Sequence, residues 1–243
     1  MDSFIDCIAQ LNIDISNEQL DLFERYYELL ISWNEKINLT AITDKQDVYI
    51  KHFADSISVL KYIDLAKKSI IDIGTGGGFP GIPIKIMCPD SKILLLDSLA
   101  KRVGFLNEVI SSLGLNDISA IHGRAEDIAF EDDHREKYDI AVSRAVANLS
   151  TLSEYCLPFV NINGVFISYK SGNIDDELSG ADKAINVLGG KTGSVEKFIL
   201  PGTDYDRSLV FINKVKKTEK KYPRKAGTPQ KKPLGCSING ERP

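Results

Sequence analysis

The segment Asp72-Ile73-Gly74-Thr75-Gly76-Gly77-Gly78-Phe79-Pro80-Gly81 places one carboxylate and a cluster of glycines directly behind the apolar run Ser69-Ile70-Ile71. A buried strand that ends this way delivers bare backbone to a ligand, at the strand end where open α/β sheets bind. Gly74, Gly76 and Gly78 can take positive φ, and without a Cβ they let the main chain approach closely. Pro83 suits the first turn of a short helix whose free N–H groups would favour an anion such as a carboxylate. Lys92-Ile93-Leu94-Leu95-Leu96-Asp97 reads as a second buried strand, with Asp97 placed to accept hydrogen bonds from the two hydroxyls of a ribose. Gly76, Gly78 and Gly81 also satisfy Gly-x-Gly-x-x-Gly spacing, so NAD remains an alternative ligand at this point.

Other chemistry-bearing groups stand at the ends of later elements. Arg124-Ala125-Glu126 follows a weak third strand, Ser119 to Gly123, where backbone and an acidic side chain commonly hold an adenine ring; an ordinary loop acid is the bland reading of Glu126. Tyr138 to Ser143 reads as a fourth strand ending in Arg144, and Gly164 to Lys170 as a fifth. Upstream, His52, Asp55 and Ser56 share one turn of a predicted helix, since residues three and four apart are helical neighbours. From spacing alone that trio is either exposed surface or one wall of a site.

The elements that must position these groups are legible from pattern. Ser16 and Gln19 have capping-box spacing, and Leu20, Phe23, Tyr27, Leu30 and Ile31 behind them form one helical face. Thr43 and Gln46 repeat the signal before a helix with Ile50, Phe53, Ile57 and Leu60 as its buried face, and Trp33 to Thr40 reads as the loop between the two. Val103, Leu106, Ile110 and Leu113 predict a helix stopped by Gly114. Residues 175 to 188 predict another, and Val195 to Leu200 and Arg207 to Val215 two closing strands. The pattern divides the chain into an N-terminal helical extension (1–66), a core (67–215) and a basic C-terminal tail (216–243).

Composition narrows the function classes. The chain has 243 residues, 43% of them hydrophobic, enough to bury a full core. Its net charge of −4 hides an asymmetry: from Lys214 onward ten basic residues face Glu219 and Glu241, a local charge of +8 that leaves −12 for the rest. Such an end either meets a polyanion or is a solvated tail. Cys7, Cys88, Cys156 and Cys236 form no Cys-x-x-Cys pair, and His52, His122 and His134 lack ligand spacing, so reduced thiols and no metal are expected. With neither a signal-peptide core nor a bilayer-length apolar run, the expectation is a cytoplasmic protein that binds no membrane.

The order Asp72-x-Gly74-x-Gly76-x-Gly78 resembles the acidic-first glycine motif of Rossmann-like S-adenosylmethionine-dependent methyltransferases. More specifically, the chain resembles the family of ribosomal RNA small-subunit methyltransferase G, also called glucose-inhibited division protein B. The resemblance rests on Asn38-Leu39-Thr40, His52 with Asp55-Ser56, Asp72 through Pro83, Asp97-Ser98-Leu99 with Lys101-Arg102, Arg124-Ala125-Glu126, Ser143-Arg144-Ala145, and Tyr222-Pro223-Arg224 through Lys232-Pro233-Leu234. These stretches span nearly the whole chain. In departure, Ser171-Gly172 follows Lys170 where glycine is expected at once.

The resemblance implies a class I α/β fold with a mostly parallel seven-stranded sheet and helices on both faces. It implies methylation of guanosine N7 in the decoding-region loop of 16S ribosomal RNA, by in-line displacement without a covalent enzyme intermediate. It also implies that Gly74, Phe79, Ala125, Glu126 and Arg144 bind S-adenosylmethionine, and it favours His52, Asp55 and Ser56 facing the active site. Asp72, Gly76, Gly78 and Asp97 complete the expected cofactor set. No Asn-Pro-Pro-Tyr-like sequence or Pro-Cys follows the fourth strand, which argues against exocyclic amine and pyrimidine C5 chemistry. N7 carries an in-plane lone pair and no proton, so no base is needed; Asp55 is expected to offset the charge moving onto the purine, and Arg144 to hold cofactor, phosphate or O6. His52 and Ser56 are expected at the RNA, and Lys101, Arg102, Arg224, Lys231 and Lys232 on its phosphates. The expected partner is 16S ribosomal RNA or the small subunit, met by a monomer. An NAD-linked oxidoreductase and an RNA-binding protein with a vestigial pocket are the competing readings.

Overall fold

The computed structural model describes residues 2–235. Seven strands, β1 (Ser69–Ile73), β2 (Lys92–Asp97), β3 (Ile118–His122), β4 (Tyr138–Arg144), β5 (Val160–Ser171), β6 (Gly190–Ile199) and β7 (Asp206–Lys214), form one sheet in the order β3-β2-β1-β4-β5-β7-β6. β1 to β5 pair in parallel and β7 runs antiparallel to β5 and β6. The strand order reverses between β1 and β4, which opens a crevice at their carboxyl ends. This is the Rossmann-like α/β architecture expected from the sequence.

Alternation along the strands sends consecutive residues to opposite faces, so the sheet has two cores. Ile70, Ile93, Leu95, Ile140 and Val142 pack on one side, and Ile71, Ile73, Leu94, Leu96 and Ala141 on the other. The first core is completed by α1 (Asp2–Gln10) and α2 (Asn17–Ile37), whose Phe4, Phe23 and Tyr26 form an aromatic cluster with Tyr49 and Phe53. The N-terminal segment is therefore a cover of the sheet.

Locally, α2 begins with the expected capping box of Ser16 and Gln19. Its fully buried face is Phe23, Tyr26 and Leu30, with Tyr27 only half buried, and it continues through Trp33 to Ile37, where a loop was expected. The next helix, α3 (Lys45–Val48), is capped by Asp44 rather than Thr43, the Asp44 carboxylate accepting from the Asp47 N–H at 3.0 Å. It passes into a π-helical turn, Tyr49–Ala54, and then α4 (Asp55–Ile57). Such wide turns recur at functional sites, and here the turn carries His52.

Beyond β1 come α5 (Gly81–Met87), α6 (Ala100–Leu113), α7 (Ala125–Ile128), α8 (Leu149–Cys156), α9 (Asp175–Val187) and α10 (Thr228–Lys231). The segment 216–235, expected as the larger part of a tail, is packed against the second core. Arg135 donates to the carbonyls of Thr218, Glu219 and Tyr222, Thr151 to that of Pro229, and the buried Lys214 ammonium to Leu157 and Thr218. Cys236, Glu241 and Arg242 lie outside the described residues.

Candidate functional site

The glycine loop is held from beneath by two carboxylates. Asp72, fully buried, accepts from the Thr75 hydroxyl at 2.6 Å and the Gly81 N–H at 2.8 Å. Asp97, 2% exposed, accepts from the N–H groups of Gly76 and Leu99, each at 2.9 Å. Both were expected to touch the cofactor. Neither residue lines the clefts on either side of Arg144, and Asp72 Oδ1 is buried without a partner; the bonds the two carboxyls do make shape the loop. The first N–H of α5, expected to meet an anion, is taken by the protein's own Asp72 carboxyl.

Gly74 and Gly76 have φ of 71° and 61° and remain partly accessible, whereas Gly78 is buried. A Cβ on Gly74 would lie 2.7 Å from Val146 Cγ2, and one on Gly78 2.5 Å from Ile82 Cδ1. Gly78 is therefore required by packing rather than by ligand contact. Phe79 is also buried, and its ring lies under His52, with centroids 4.5 Å apart, and under Arg144 at 5.1 Å.

Two clefts flank the turn Arg144-Ala145-Val146 at the ends of β1 and β4. The smaller, 230 Å³, is lined by Ile73, Gly74, Leu96, Ala125, Glu126 and the tail residues Gly227 and Gln230. The larger, 460 Å³, is lined by Lys51, His52, Asp55, Arg144, Tyr169, Lys170 and Arg207. In it Asp55 is only 5% exposed, one oxygen taken by Arg144 at 2.8 Å and the other by Arg207 at 2.7 Å. Arg144 also donates to the backbone carbonyls of Lys51 and His52 and to His52 Nδ1, each at 3.3 Å. Since a guanidinium can only donate, His52 carries its proton on Nε2 and gives it to Thr40 Oγ1 at 2.8 Å.

This geometry corrects three expectations. Asp55 is neutralised by two arginines, so it orients them and cannot also offset a cationic purine. Ser56 is fully buried, its hydroxyl donating to the His52 carbonyl at 2.5 Å, and does not face RNA. Arg224 grips the fully buried Glu154 at 2.6 and 2.9 Å, which commits its charge to the fold. Lys101, Lys231 and Lys232 are exposed; Arg102 lies 3.5 Å from Asp97.

Arg207 and Tyr26 escaped the sequence reading. Arg207 begins an ordinary strand, and only the pairing of β7 with β5, which sets it opposite Ser171, brings it to the cleft. Tyr26 donates to the Gly77 carbonyl; its place one residue beside the expected α2 face was the available signal.

The family model of GidB, rRNA small subunit methyltransferase G, matches residues 19–210. The chain belongs to this family. It is 54% identical over 226 residues to Ribosomal RNA small subunit methyltransferase G of Desulforamulus reducens, spanning 93% of this chain and 94% of that one. To the protein of the same name from Clostridium botulinum it is 52% identical over 225 residues, spanning 92% and 94%. Among solved structures, M. jannaschii TYW2 in complex with AdoMet is similar with a TM-score of 0.55 at 12% identity, covering 72% of this chain and 80% of that one. A SAM dependent methyltransferase from Aquifex aeolicus gives 0.52 at 16% identity, covering 75% and 97%. These two share the fold.

In this GidB chain the smaller cleft fits S-adenosylmethionine. Gly74 offers backbone that a Cβ would both strain and obstruct, Ile73, Leu96 and Ala125 are apolar lining, and Glu126 supplies an acceptor. The NAD-linked alternative is set aside by family membership.

Two buried groups give the GidB site a testable pH behaviour. Burial pushes the Asp72 carboxyl up to about 7, and burial with the charge of Arg144 pushes His52 down to about 3. As pH rises from about 4 to 7 the unfolded chain loses the Asp72 proton while the folded state keeps it, so this contribution to stability falls. As pH drops below about 6.5 the unfolded chain protonates His52 while the folded state does not, so that contribution falls in the opposite direction, each by up to about 1.4 kcal/mol per pH unit. The two oppose one another in the native protein. Thermal melts of Asp72→Asn should therefore lose stability on acidification from pH 6.5 to 4 more steeply than wild type, and those of His52→Gln less steeply. Parallel curves for all three proteins would refute the assignment.

Proposed function

We propose that the chain transfers a methyl group from S-adenosylmethionine to N7 of a guanosine in the decoding-region loop of 16S ribosomal RNA. The observation that carries this reading is the junction at Arg144, where a glycine-lined cleft meets a basic cleft that offers neither thiol nor free base. S-adenosylmethionine, when bound, supplies an electrophilic methyl group. Gly74, Gly76, Ala125 and Glu126 would hold it, and Arg144, fixed by Asp55 and by carbonyls of the π turn, presents a rigid guanidinium between the two clefts.

Guanine N7 needs no deprotonation, which agrees with the residues of the larger cleft. Asp55 is locked by arginines, and His52 is neutral with both ring nitrogens engaged. The site orients its substrate, and orientation of this kind contributes roughly 7 to 11 kcal/mol in favourable cases. The target must be a loop nucleotide, because A-form helices bury N7 in a deep, narrow groove.

Lys101, Lys231 and Lys232 are the phosphate contacts on this reading, with His52 packing beside the target base. Replacing Lys231 and Lys232 together by alanine should weaken RNA binding similarly for all sequences and reduce the slope of log affinity against log salt by about 1.4. Filter binding across a salt series measures this; an unchanged slope removes both lysines from the interface. No helix among the described residues is long and apolar enough to cross a membrane, and the free thiols of Cys7, Cys88 and Cys156 suit a reducing compartment. We place the enzyme in the cytoplasm as a monomer, which sedimentation tests directly.

The deciding experiment is transfer of labelled methyl from S-adenosylmethionine to small-subunit RNA or particles lacking the modification, followed by borohydride–aniline cleavage, which cuts at 7-methylguanosine. A single cut in the decoding-region loop is expected. Label at another atom or another region would overturn the assignment, and RNA binding without transfer would favour the vestigial pocket.

A further inference from the structure

We propose that residues 224–232 form the outer wall of the cofactor cleft and that the Gln230 carboxamide reads the exocyclic amine of the adenine. The proposal rests on the methyltransferase reading above and extends it to a segment beyond the Rossmann-like core. The smaller cleft is lined on one side by Gly74, Ala125 and Glu126 and on the other by Gly227 and Gln230. The two sides are joined by a hydrogen bond, the Gly227 N–H donating to Glu126 Oε1 at 2.8 Å.

The wall is anchored on both sides of Gln230. Before it, the Arg224 guanidinium and backbone N–H hold the fully buried Glu154 carboxylate, at 2.6 Å and 2.7 Å. Arg224 also donates to the Lys232 carbonyl at 2.8 Å, which pins the far end of the segment back on its start. Between them Pro229 is buried, and its carbonyl accepts from the Thr151 hydroxyl at 3.0 Å. Gln230 follows at once, on the cleft and exposed, and its carboxamide makes no hydrogen bond among the described residues.

A carboxamide carries one acceptor and one two-proton donor side by side. Adenine presents the complementary pair, an exocyclic N–H beside a ring nitrogen, which is why glutamine and asparagine recognise this base. Glu126, whose Oε1 already accepts from Gly227, can only accept, whereas the carboxamide can also donate to the ring nitrogen. The wall therefore brings a side chain suited to the base to the cleft that would hold it, on a segment tied to Glu126 through Gly227, 101 residues further along the chain.

Calorimetric titration of the full chain with S-adenosylhomocysteine, and with its analogue lacking the 6-amino group, tests this without relying on catalysis. Wild type should bind the analogue about 3- to 10-fold more weakly than S-adenosylhomocysteine, the effect of one neutral hydrogen bond. Gln230→Ala should lose a similar factor for S-adenosylhomocysteine and bind the two ligands within about twofold of each other. Because Gln230 is exposed, its melting temperature should be unchanged, so a fold defect is separable from lost recognition. Amide exchange of residues 225–232 should also slow when S-adenosylhomocysteine binds wild type. Wild-type affinity and wild-type preference in Gln230→Ala, or exchange unaffected by ligand, would overturn the proposal. If wild type bound neither ligand, the methyltransferase reading of the cleft would itself fall.

Discussion

Arg144→Ala is expected to lower kcat/KM for methyl transfer by about 100- to 1,000-fold, and Arg144→Lys to recover little of it. The guanidinium uses one nitrogen for Asp55 and two carbonyls of the π turn and another for His52 Nδ1, while its face lies over Phe79. An ammonium group has no such fork, cannot stack in the same way, and would reach at most part of this set. The fold should survive the alanine change, because Arg207 remains on Asp55 and leaves no unpaired buried charge. Steady-state kinetics on small-subunit RNA, paired with circular dichroism and titration of S-adenosylhomocysteine, separates these effects. Lysine-variant activity near that of wild type would show that charge alone matters and that the fork geometry does not.

Arg224→Ala should act on stability instead, costing about 3 to 5 kcal/mol in urea denaturation. The reason is Glu154, fully buried on α8, whose carboxylate loses its bidentate partner and keeps only the Arg224 backbone N–H. An isolated charge in that position is worse than none. Replacing the pair together, Glu154→Leu with Arg224→Met, should therefore recover much of the loss. At temperatures where Arg224→Ala stays folded, its affinity for RNA should match wild type. A loss below 1 kcal/mol accompanied by weakened RNA binding would return Arg224 to the list of phosphate contacts.

Both predictions concern residues that were visible in the sequence but whose roles were only partly legible there. Arg144 was expected at the end of the fourth strand and stands there. Arg224 was expected on RNA because it sits among lysines in a basic stretch, and charge composition does not reveal a buried acid elsewhere. Asp72 and Asp97 were recognised as strand-terminal acids, yet an acid beside a glycine loop can hold either the ligand or the loop. Here both acids accept hydrogen bonds from the loop and its flanks, a pairing that no local pattern separates from ligand contact.

The residue order by itself determined the strands, most helices, the glycine loop and the family, because alternation, capping and glycine placement are local properties that a short window expresses. Only the tertiary structure decided which charges remain available. Arg207 meets Asp55 across 152 residues of sequence, Arg144 meets it across 89, and Arg224 meets Glu154 across 70. Pairings at that range depend on how β7 inserts beside β5 and how the C-terminal segment folds back over α8, and ion pairing in turn depends on burial, which no local pattern encodes. The chain thus writes out its scaffold residue by residue, whereas the division of its charged groups between fold and site follows from the packing of distant segments.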